Sequence, residues 1–78
     1  MTNLDREQLK RDCADALSMV SQNKGVDGLD AVAASIAELG PEYRAHGTLM
    51  QASVAERKDM TIMWHLLHVI EKLEKGVE

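Results

Sequence analysis

His65 and His68 stand three residues apart, a spacing that sets two imidazoles on one side of a helix, where a metal ion accepts neutral nitrogen ligands. No carboxylate or thiol at a fixed spacing joins them, so solvated positions on a polar face are the expectation and metal binding or pH sensing the lesser alternative. Cys13 is the only cysteine, which rules out an intrachain disulfide and a Cys-based zinc site. It falls within an apolar stripe, where a buried, unreactive thiol is expected rather than a nucleophile. A phosphotransfer histidine would be followed by Lys-Gly, whereas His68 is followed by Val69-Ile70-Glu71. There is no Gly-rich phosphate loop, no Ser-His-Asp set and no close carboxylate pair with flanking pocket residues. The chain therefore gives no basis for an enzyme and implies no cofactor.

The elements that must position these residues are helical. Hydrophobic residues make up 45% of the 78-residue chain, which argues against intrinsic disorder, yet there is no Phe and only one Trp and one Tyr. The apolar content lies in Ala, Leu, Val, Ile and Met, and Ala, Leu and Met are strong helix formers. We expect an all-α fold in one domain, residues 1–78, as a small bundle of two shorter helices and one long C-terminal helix. A core this small is commonly completed by a second copy, so a homodimer is a further expectation.

Leu9, Cys13, Ala16, Leu17 and Val20 mark the first amphipathic helix, capped by Asn3 and closed near Gly25. Leu29, Val32, Ala33, Ile36 and Ala37 mark the second, with Asp27 as its cap, and it halts at Leu39-Gly40-Pro41. Residues 41–47 read as a connector with one helical turn begun by Pro41. A helix-turn-helix drawn from Asp30 to Ser53 would carry Pro41 and Gly47 in its second helix and few cations. Thr48 and Gln51 have the spacing of a capping box, and from there a third helix of about 28 residues is expected to run to Lys75.

The apolar residues of its second half form two adjoining stripes, Met60-Met63-Leu67-Ile70 with Trp64 beside it, and Ile62-Leu66-Val69-Leu73. Thr61, His65, His68, Lys72 and Lys75 make one narrow polar line. This arc is wider than the apolar face of an ordinary surface helix, somewhat above 100°. It can close a three-helix core or meet another protein. Two short helices can hardly cover both stripes, and Met and Trp suit an interface, so the second reading is preferred. The first residues are polar and no run of 18 apolar residues occurs, which points to the cytoplasm and away from membranes. A formal charge of −4 argues against direct nucleic-acid binding.

From Leu39 onward the run Leu39-Gly40-Pro41-Glu42-Tyr43, Gly47, Gln51-Ala52-Ser53-Val54, Met60 and Leu66-Leu67-His68-Val69-Ile70 resembles the C-terminal half of the TraM-type quorum-sensing antiactivators of conjugative plasmids, which include QseM. The resemblance covers residues 33–73 and rests on spaced small and apolar positions. It implies an all-helical protein that binds a LuxR-type, acyl-homoserine-lactone-responsive transcriptional activator, blocks its DNA binding and restrains transfer genes. The matching positions are Tyr43, Ala52, Ser53, Met60, Leu66, Leu67, Val69 and Ile70. Taken with the stripe, they give Met60, Met63, Trp64, Leu67, Ile70 and Tyr43 as the expected partner contacts. A self-associating structural subunit is the alternative.

Overall fold

The computed structural model describes residues 6–25 and 27–75. These residues form four α-helices, α1 Arg6–Ser21, α2 Leu29–Ala37, α3 Pro41–Ala55 and α4 Asp59–Lys75, with no strand among them. The all-α expectation holds, and the layout of two short helices and one long one is corrected to four. The Asn3 cap lies outside the described residues.

The expected long C-terminal helix is two helices, of 15 and 17 residues. The break falls at Glu56-Arg57-Lys58, where Arg57 adopts φ 58°. The Lys58 amide donates to the Ser53 carbonyl at 2.9 Å and the Arg57 amide to the Val54 carbonyl at 3.2 Å. These are the paired bonds of a Schellman ending with Arg57 in the left-handed position usually held by glycine. Asn23 ends α1 in the same way, with φ 59° and bonds from Lys24 to Met19 and from Asn23 to Val20. Asn23, rather than Gly25, is thus the first left-handed residue after α1.

Two further expectations change. Asp27 does not cap α2: that place belongs to Gly28 at φ 84°, a conformation most readily adopted by glycine, with no side-chain cap bond. The connector at 41–47 is the first half of α3, begun by Pro41 directly after Gly40, where the missing amide costs nothing. Thr48 and Gln51 therefore lie inside α3, exposed, and do not start a helix.

Each helix packs on the next, and α1 also packs on α4. The bundle measures 31 × 19 × 19 Å. Its core takes Leu9, Cys13, Ala16 and Val20 from α1, and Leu29, Ala33 and Ile36 from α2. Tyr43, Met50 and Val54 come from α3, and Ile62, Leu66 and Val69 from α4. The stripes on α1 and α2 thus face inward as their spacing predicts.

Where α3 crosses α2, the spacing is set by Gly47, which is buried. A Cβ there would lie 2.7 Å from the Ala33 carbonyl oxygen and 2.7 Å from both the amide nitrogen and the Cβ of Ala37. Backbone atoms form two of these three contacts, so the close approach depends on the missing side chain. No helix among the described residues is long and apolar enough to cross a membrane.

Candidate docking face on the last helix

The 3.6-residue turn of α4 gives it two apolar sides. Ile62, Leu66 and Val69 are completely buried and Leu73 packs partly against the core, so this stripe is the inner one. Met60, Trp64 and Leu67 follow at i, i+4 and i+7 on the opposite side. They are 81%, 52% and 49% exposed, respectively. Met63 and Ile70 lie between the two sides and are partly buried against the core. Isolated apolar residues on a surface need no explanation, but three large ones aligned on one helix face form a contiguous candidate for contact.

Tyr43 is placed differently from its expected contact role. It is completely buried in the core, with the Lys72 ammonium 5.9 Å and the Arg6 guanidinium 5.8 Å from its ring centre. A partner could reach it only by opening the bundle. Leu49 on α3, 54% exposed, is a surface apolar residue that the sequence reading did not single out.

The expected polar line on α4 is interrupted. Thr61 and Lys75 are exposed and His68 and Lys72 partly so, but His65 is buried at 4% exposure, which corrects its expected solvated position. The reason is a partner on α3: His65 Nδ1 lies 3.0 Å from His46 Nδ1. The sequence pattern puts His46 in the expected connector at 41–47. Once Pro41 begins the helix, its side chain is directed by α3 and meets α4.

Around this pair the rings form a cluster. Trp64 meets His65 edge-on at 5.0 Å between centroids, and lies 4.1 Å from the His68 ring and 6.0 Å from that of His46. The His46 and His68 rings are near-parallel at 6.4 Å. Burial holds His46 below the ordinary histidine range, helped by positive charge at His65, Lys72 and His68. Burial lowers His65 too, with a further contribution from His68. His68 Nδ1 instead faces the Glu71 carboxylate at 3.8 Å. Among the described residues, no group of three or more His, Cys, Asp or Glu is arranged to hold a metal ion.

No family model, curated protein or solved structure matches the chain.

Proposed function

We propose that this protein is a binding module that docks the outer face of α4, with Met60, Trp64 and Leu67 at its centre and Met63 and Ile70 along its edge, onto a LuxR-type transcriptional activator. Bound there, it keeps the activator from DNA and so restrains the genes of conjugative transfer. The observation that supports a docking role is the second apolar side of α4, which carries Trp64 half-exposed opposite a completely buried core stripe. The partner class rests on the resemblance over residues 33–73.

The physical division of labour fits such a role. A DNA-binding surface presents Lys and Arg, so a chain of formal charge −4 is attracted to the surface that must be hidden. Buried apolar anchors then slow dissociation, because affinity among related complexes is tuned mainly through the off-rate. Methionine adapts to an irregular partner, and tryptophan is enriched among interface residues whose truncation is most costly.

Co-expression with a LuxR-type activator, followed by co-purification and a DNA-binding assay, tests this reading. Retention of the activator and loss of its DNA binding are expected. Trp64→Ala and Leu67→Asp are each expected to weaken the complex by about 2 kcal/mol or more, roughly 30-fold, while far-ultraviolet helicity is kept. If the activator is not retained and its DNA binding is unchanged, this reading fails. A dimer by light scattering that both substitutions dissociate, with no activator bound, would assign the face to self-association instead.

A further inference from the structure

The contact between α3 and α4 holds a feature that docking does not use. The two Nδ1 atoms of His46 and His65 are 3.0 Å apart while their ring centres are 5.2 Å apart, a difference of 2.2 Å. Two imidazole radii laid end to end account for that difference, so the nitrogens point at each other head-on. Two ligands of one metal would instead aim their lone pairs at a third point about 2 Å from each. The geometry is that of an N–H···N hydrogen bond, in which one Nδ1 carries the proton and the other accepts it.

We propose that the His46–His65 pair is a proton-sensitive latch between α3 and α4. The proton held between the two Nδ1 atoms ties the helices together while the pair is neutral or carries one charge; only when each ring has taken a proton from solvent do two facing donors replace the bond and push the helices apart beside Trp64. With both rings charged, neither Nδ1 has a lone pair to accept with, and two positive charges face each other in a partly buried site.

The surrounding groups work in the same direction. The positive groups acting on the pair are His68 and Lys72, both on α4, and neither supplies a carboxylate that would stabilise a doubly charged pair. The Glu71 carboxylate, on the same helix, faces His68 Nδ1 at 3.8 Å. Both His46 and His65 sit below the ordinary value of 6.5, so near that pH the folded protein binds fewer protons than the unfolded chain. Stability from the latch is fully present above about 6.5 and is lost as pH falls through that value toward the lower folded-state values. Trp64, edge-on to His65 at 5.0 Å, lies within reach of the change, so acid would alter the outer face of α4 as well as loosen the bundle.

The experiment combines urea unfolding between about pH 8 and pH 5 with imidazole nitrogen spectra of the wild-type chain at about pH 8. The spectra are expected to show one of His46 and His65 protonated at Nδ1 and the other at Nε2. The unfolding midpoint is expected to fall toward pH 5. His46→Gln keeps a hydrogen-bonding group but removes one titrating ring, and should lose about half or more of that fall. His68→Gln should keep most of it. Protonation of both rings at Nε2 alone, a midpoint that does not change with pH, or a His46→Gln response equal to wild type would each overturn the proposal. If His46→Gln does not fold, the wild-type spectra and pH series decide.

Discussion

The two sides of α3 are held to their neighbours in opposite ways. Toward α2, the absence of a side chain at Gly47 lets backbone meet backbone. Toward α4, the His46 ring reaches across to His65. The first contact is steric and carries no charge at any ordinary pH. The second depends on how many protons two rings share. One helix thus combines a fixed seam with a titratable one, and the difference shows how a bundle this small can be rigid on one side and responsive on the other.

The comparison breaks most readily at Gly47. Gly47→Ala would place a methyl 2.7 Å from main-chain atoms of α2, which cannot swing aside as a long side chain would. Overpacking against backbone belongs at the upper end of the usual range of about 1–3 kcal/mol, and the roughly 1 kcal/mol that alanine gains over glycine in a helix offsets part of it, for a net loss of about 1–2 kcal/mol by urea unfolding. That loss should be the same at about pH 8 and about pH 5, since the atoms a Cβ at Gly47 would meet belong to Ala33 and Ala37, which do not titrate, and the ring of its chain neighbour His46 is turned toward α4. A pH-dependent loss would show that the two seams are coupled rather than independent.

Arg57→Gly sharpens the contrast from the other end of α3. It removes the strain of a left-handed arginine while adding unfolded-state freedom, so a gain of about 0.5–1 kcal/mol is expected in thermal or urea unfolding. No gain would mean that the Arg57–Asp59 contact at 3.9 Å, made by an exposed Arg57 to a partly buried Asp59, contributes more than surface pairs usually do. The smallest effect is expected at Met60, which is 81% exposed. Met60→Gln should leave stability within about 0.5 kcal/mol, and a larger loss would mean that the outer face of α4 supports the fold.

The legibility of this chain follows the same division. Periodicity located α1 and α2 and their inward stripes, because burial on one side repeats every 3.6 residues whatever the neighbours do. Gly40-Pro41 was readable as a break because both residues signal a turn by their own chemistry. Arg57 was not: nothing intrinsic to arginine favours the left-handed position, and only the packing of α4 against α1 and α3 makes the turn worthwhile. Without that signal α3 and α4 read as one helix, and the capping-box spacing of Thr48 and Gln51 moves its start past His46, which puts His46 in a connector. With His46 in a connector, His65 has no partner visible in the sequence and reads as solvated. The two stripes of α4 are legible from spacing alone, but their orientation needs the bundle, because Ile62-Leu66-Val69 and Met60-Met63-Leu67 are both wholly apolar and either could face a core.

The lone thiol gives the molecule an internal reporter. Cys13 is completely buried, and burial, with Asp12 adding to it, pushes the thiol up to about 12. At about pH 8 the folded protein therefore holds almost no thiolate, whereas an unfolded cysteine with an ordinary value near 8.5 holds a substantial fraction. An alkylating reagent reacts with the thiolate, so its rate of attack counts how often α1 lifts from the core. Labelling of this single atom would time the opening of the bundle in a mixture, at low concentration, without an added probe.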